Sequence, residues 1–342
     1  MDLELREGVV RTARHTSFFL ECGPADGPLL VFLHGWPELA ISWRHQLPCF
    51  AALGFRCVAP DMRGYGRSSV HPAPAGYALE HIAADMLELL AALGRDRAVW
   101  IGHDWGSPVV WSLAAHHADR CLAVANLCVP YIPAGFALPN LVALVDRRTY
   151  PEAEYPAGQW DYQYFYEENA ARARAVFEAD VDATVRALFR RGNPAARGKP
   201  GRTATIRRDG GWFGGADRAP DVPLDAAVLT AADHSHYVAA PTRTGFAGPD
   251  SWYLNHAANA AYAARAPQGG RLAMPVLFLH GAHDTTCETL DSDLAAPMRQ
   301  ACADLTEAVV ESGHWMAQEK PAAVNAALAR WLAQRVPAAW PG

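Results

Sequence analysis

The sequence predicts an α/β fold, a mostly parallel doubly wound sheet with a helical cap inserted after the fourth parallel-type strand. Three observations predict it. Short apolar runs ending in Gly, Pro or Asp recur along the chain, as buried parallel strands do. Stretches of helical period separate them. The alternation stops at Pro130 and resumes only at Pro275. The expected organisation is a core of residues 1–129 and 271–342 with a cap over 130–270.

Leu5–Arg11 and His15–Leu20 read as an opening hairpin. Leu29–Leu33, Arg56–Ala59 and Ala98–Ile101 read as the first parallel strands, running into His34-Gly35, Pro60-Asp61 and Gly102-His103. Ile82, Met86, Leu89, Leu90 and Leu93 share one helix face. Pro108–Ala118 reads as a helix whose proline sits near the first turn, where a missing N–H costs nothing. Leu122–Cys128 is the fourth strand of the parallel set. In the cap, helical pieces are expected near Ala170–Arg191 and Asp225–Ala239. Pro275–Leu279 and Leu305–Val310 resume the sheet, and Ala322–Gln334 closes the chain as a helix.

Of 342 residues, 51% are apolar and 19% charged, enough for a large core. A net charge of −6 without clustered Lys or Arg argues against nucleic acid or an anionic membrane as partner. Seven scattered cysteines include no C-x-x-C, which argues against disulfides or a zinc site and for a reducing cytoplasm. The charged start Met1–Glu7 has no apolar stretch, so no signal peptide is expected. No apolar run reaches the roughly 18 residues of a membrane span.

The third parallel strand runs straight into Gly102-His103-Asp104-Trp105-Gly106-Ser107 and then a helix. This turn resembles the nucleophile elbow of the α/β-hydrolase fold, with Asp104 where esterases carry Ser. No G-x-S-x-G occurs, which disfavours a serine esterase. The plainer alternative is that Asp104 only caps the helix. Partners in the order nucleophile, acid, histidine favour catalysis. Asp284 follows the strand at 275–279, and His314, in Ser312-Gly313-His314-Trp315, follows the last strand. Asp284 would orient His314, and His314 would activate water. His283 and Glu288 are the neighbouring alternatives to Asp284. Any of the 14 histidines is by default structural; His314 stands out by place and order.

His34-Gly35-Trp36-Pro37 follows the first parallel strand, where a turn can offer an amide; the N–H groups of Trp36 and Trp105 would form an oxyanion hole. His280-Gly281 repeats the His-Gly ending, so that feature alone is unspecific. Asp61–Ser68 reads as a structural loop with an Asp–Arg pair. Asp233-His234-Ser235-His236 reads as a solvated helix face rather than a metal site.

A carboxylate is ionised at neutral pH without a base. It suits alkylation at an sp3 carbon, giving an ester on the enzyme that activated water then cleaves. Epoxides and alkyl halides both fit. An epoxide leaves as an alkoxide and needs an acid, whereas a halide needs only donors.

His34–Glu38 with Ser42-Trp43-Arg44, the elbow, and Ser312–Trp315 resemble the epoxide hydrolases of the α/β-hydrolase fold, from about Leu5 to Arg335. Trp160–Phe165, and Gly245–Pro249 leading to Ser251–Asn255, look like the two cap tyrosine stretches of that family. The resemblance implies Tyr162 and Tyr253 as acids on the epoxide oxygen, with Tyr164 and Tyr166 beside the first as alternatives. It implies a cis Trp36–Pro37 bond, substrate contacts from Trp36, Pro37, Phe246 and Trp252, and no cofactor or metal. The implied reaction turns a small-molecule epoxide and water into a vicinal diol, in detoxification or secondary metabolism, by a cytoplasmic monomer or homodimer. Ala247 stands where these enzymes often carry a basic residue, and Gly158–Trp160 departs from the family pattern. A haloalkane dehalogenase could use the Trp105 indole as a halide donor, but Trp36 replaces the expected Asn and paired tyrosines would be idle. A catalytically silent binding protein on this scaffold would lack the nucleophile, the acid or the histidine.

Overall fold

The apolar runs fold as eight strands of one sheet in a computed structural model that describes residues 3–341; Met1, Asp2 and Gly342, the outer ends of the two expected core stretches, lie outside the described residues. The strands are β1 Arg6–Arg11, β2 Thr16–Cys22, β3 Leu29–Leu33, β4 Arg56–Pro60, β5 Ala98–His103, β6 Cys121–Leu127, β7 Leu272–Gly281 and β8 Cys302–Val310. Their order is β1-β2-β4-β3-β5-β6-β7-β8. Only β2 runs against its neighbours; β4, β3, β5, β6, β7 and β8 are mutually parallel. Every residue of β3 and β5 is buried, as strands covered on both faces must be. Ile82, Met86, Leu89 and Leu90 bury one face of the helix Leu79–Ala92, each contributing about 1.5–3 kcal/mol.

The long connection from β6 to β7 is helical. Two boundaries differ from the expected ones. The piece expected at Ala170–Arg191 is two helices, Asp161–Glu178 and Val181–Leu188, because Asp180 accepts the amide of Ala183 and restarts the chain as an N-cap. The first is kinked at Asn169. The piece expected at Asp225–Ala239 begins at Ala231, where Thr230 and Asp233 form a capping box. Asp225 instead accepts the amides of Arg191 and Ala227.

The Ser42-Trp43-Arg44 segment ties this insertion to the core. Arg44 pairs with Asp233 at 2.9 Å and donates to the Val228 carbonyl and Gln318 Oε1. Ser42 Oγ lies 2.6 Å from Tyr237 Oη. Asp233 is thus a buried anchor and not part of a solvated face; Ser235 and His236 are exposed. The loop after β4 is also corrected. Asp61 accepts the amides of Ala40 and Arg67, while Arg63 pairs with Asp85 through two 2.6 Å bonds, so no Asp61–Arg pair forms. Among the described residues, no helix is long and apolar enough to cross a membrane.

Candidate active site

Asp104 sits between β5 and the helix Gly106–His116 with φ 48°, a conformation costly for a residue with a Cβ. The elbow is this tight because position 106 is Gly; a Cβ there would collide with the Leu33 carbonyl. Asp104 Oδ1 accepts the Trp36 amide at 2.6 Å. A Cβ on Gly35 would strike both Asp104 Oδ1 and the Trp105 amide nitrogen, so the two amides and this oxygen crowd one point. The Trp36–Pro37 bond is cis.

Asp104 Oδ2 lies 3.3 Å from His314 Nε2, and His314 Nδ1 lies 2.8 Å from Asp284 Oδ2. Asp284 Oδ1 accepts the amides of Thr286 and Cys287. Burial alone would raise the Asp284 carboxyl, but His314 and these donors pull it down to about 2. Burial works against an imidazolium at His314, yet Asp284 and Asp104 outweigh it and hold His314 well above its usual range. Of the alternatives to Asp284, His283 turns to Glu311 and Glu288 accepts the amides of Leu290 and Asp291.

A cavity of about 320 Å³ opens on Asp104, Asp284 and His314, and Tyr162 and Tyr253 line it too. Both tyrosines are buried, with ring centroids 5.7 Å apart. Burial, reinforced by the Asp104 charge, raises both phenols well above 10. Tyr164 is partly buried under the Arg207 guanidinium. Tyr166 stacks behind Tyr253 at 4.3 Å and does not line the cavity.

The other residues assigned to substrate contact divide. Trp36 lines the cavity; Pro37, Phe246 and Trp252 do not. Trp252 spends its indole N–H on the Arg63 carbonyl and packs against Tyr65 and Trp105. Phe246 packs against Phe177 and Trp36. Pro37 is buried in the turn behind Trp36. In their place the wall is built from Trp212, Phe213, Leu188 and Trp315.

Two supporting contacts were not foreseen. Gln163 Nε2 donates to Tyr162 Oη at 3.0 Å, which leaves the phenolic hydrogen free to point at a ligand. Behind the elbow, Glu38 Oε2 accepts from His103 Nδ1 at 2.7 Å, and His103 Nε2 donates to the His314 carbonyl at 2.7 Å. Burial opposes both charges, but each sustains the other: Glu38 falls to about 2 and His103 rises well above its usual value. Gln318 and the Gly35 amide complete the carboxylate. His103, Cys128 and His314 bring one ligand atom each within 4.8 Å, but both nitrogens of both imidazoles are already engaged.

The arrangement can hold a carboxylate nucleophile, a water-activating histidine and two phenolic acids around one small molecule. The α/β hydrolase fold family matches residues 28–321. The chain therefore belongs to the α/β hydrolases, and within them to the epoxide hydrolases. It is 35% identical over 321 residues to Epoxide hydrolase A of Mycobacterium tuberculosis, covering 92% of each chain. It is 33% identical over 315 residues to Bifunctional epoxide hydrolase 2 of Sus scrofa, of which it spans 52%, about half the length. Among solved structures, Epoxide Hydrolase A from Mycobacterium thermoresistibile superposes with a TM-score of 0.78 at 33% identity, over 97% of this chain and 99% of that one.

Proposed function

We propose that this protein hydrolyses a small organic epoxide to a vicinal diol through a covalent ester on Asp104. The observation that carries this reading is the shared cavity: Asp104, the His314–Asp284 pair and two buried phenols meet there. Asp104 Oδ1 is held by the Trp36 amide, which leaves Oδ2 to attack the epoxide carbon. As the C–O bond breaks, Tyr162 and Tyr253 hydrogen-bond the oxygen and one of them gives it a proton. Esterification removes the Asp104 charge that helped keep His314 protonated. His314 then passes its proton to the phenolate and becomes a base. It takes a proton from water as the hydroxide attacks the Asp104 carboxyl carbon, and Asp284 stabilises the imidazolium that returns. The oxyanion formed in that step sits at the Trp36 and Trp105 amides, each such donor being worth about 3 kcal/mol. Collapse releases the diol and restores the carboxylate.

The same scaffold with an alkyl halide would need donors facing the halide. The Trp36 indole N–H is spent on Asp250 at 3.0 Å, and Trp105 does not line the cavity. A substrate panel checks this. Styrene oxide-like, aliphatic and bulky disubstituted epoxides should include at least one that yields diol, while 1-haloalkanes release no halide. Halide release without diol formation would reverse the assignment.

A further inference from the structure

We propose that the cavity selects epoxides carrying an anionic group, a carboxylate or phosphate, held at its mouth by Arg202 with Arg190 and Arg191; this rests on the epoxide reading above. All three arginines line the same cavity as Asp104 and the two tyrosines. The Arg202 guanidinium lies 5.3 Å over the Phe213 ring and donates to the Trp212 carbonyl, and both of those residues are also wall residues. It therefore runs along the wall rather than away from it. Among the described residues Arg202 has no salt bridge, although partial desolvation already pulls its pKa down. Arg190 and Arg191 share a single carboxylate, Asp225, at 4.0 and 3.7 Å, the outer limit of an ion pair. The two carboxylates that line the cavity, Asp104 and Asp284, both face His314. The charge left over along the wall is positive. A neutral epoxide would use none of it. An anion would take the planar donor fork of Arg202 in paired hydrogen bonds and be drawn in by the surplus field.

The test compares 4-(oxiran-2-yl)benzoate and 4-(oxiran-2-yl)phenyl phosphate with neutral 4-(oxiran-2-yl)benzamide. The wild-type protein should favour an anion in kcat/KM by about tenfold, the worth of one charge-assisted contact. Whichever anion is favoured more names the head group. Added NaCl should erode the preference. Arg202→Gln should cut the anion-to-amide ratio by about tenfold, and Arg202→Lys should restore part of it. The inference falls if the amide is hydrolysed as well as both anions, or if the ratio is unmoved in Arg202→Gln. Should Arg202→Gln not fold, the wild-type ratio and its salt dependence decide. Failure of the epoxide reading looks different: none of the three compounds gives diol.

Discussion

His314→Gln should react once and stop. With a substrate epoxide in excess, the variant should take up one equivalent, release almost no diol, and gain the mass of the epoxide as a stable adduct on Asp104. The reason is the order of the chemistry. Asp104 needs no base to attack, and it keeps the Trp36 amide on Oδ1 when the imidazole is gone. Ester hydrolysis does need a base, and the ring that supplies it is held 3.3 Å from Asp104 Oδ2 by the 2.8 Å bond to Asp284. Losing a positioned base costs about 10²–10⁴-fold in the second step. Gln keeps a polar group of similar reach without a titrating proton. Intact-protein mass spectrometry and a peptide map of the adduct give the readout. Normal steady turnover, or an adduct on another residue, would contradict the assignment.

Tyr162→Phe combined with Tyr253→Phe should abolish the adduct itself. The phenols act in the first step, so their loss should appear before any ester forms. In a His314→Gln background, alkylation is isolated and can be followed by quenching of the cavity tryptophans Trp36, Trp212 and Trp315. Each single variant should slow it by about 10²-fold and the double by about 10⁴-fold, the range for general acid assistance. Phe keeps the ring contacts, including the Tyr166 stack against residue 253. Burial lifts both phenols well above 10, so alkylation should hold its rate past pH 10, where free phenols ionise. If only hydrolysis slowed, the tyrosines would not be acids.

What could be read in the chain is what local order records. A strand followed by a tight turn and a helix is contiguous, so the elbow at Asp104 was legible. Asp284 and His314 each follow a strand end, so the two residues that join Asp104 at the site could be picked out by position as candidates. The helix break at Asp180 was missed because an N-cap interrupts a pattern whose apolar period continues on both sides. The Glu38–His103 pair was missed because its members stand 65 positions apart and meet only through the order of β3 and β5. As cap aromatics Phe246 and Trp252 suggest a pocket wall, but in the fold Trp252 gives its indole N–H to the Arg63 carbonyl and Phe246 packs on Phe177. Arg202 opens a single 3-10 turn in a stretch with no apolar period and shows itself only where the cavity wall is assembled.

The central claim is that Asp104 becomes covalently bonded to substrate and is itself hydrolysed. A single turnover in 18O-water, with enzyme in excess over a substrate epoxide, tests it most directly. The account predicts that the label enters the Asp104 carboxylate and that the first diol carries none. Label in the first diol, with an unlabelled Asp104 peptide, would mean that water attacks the epoxide directly and would contradict it.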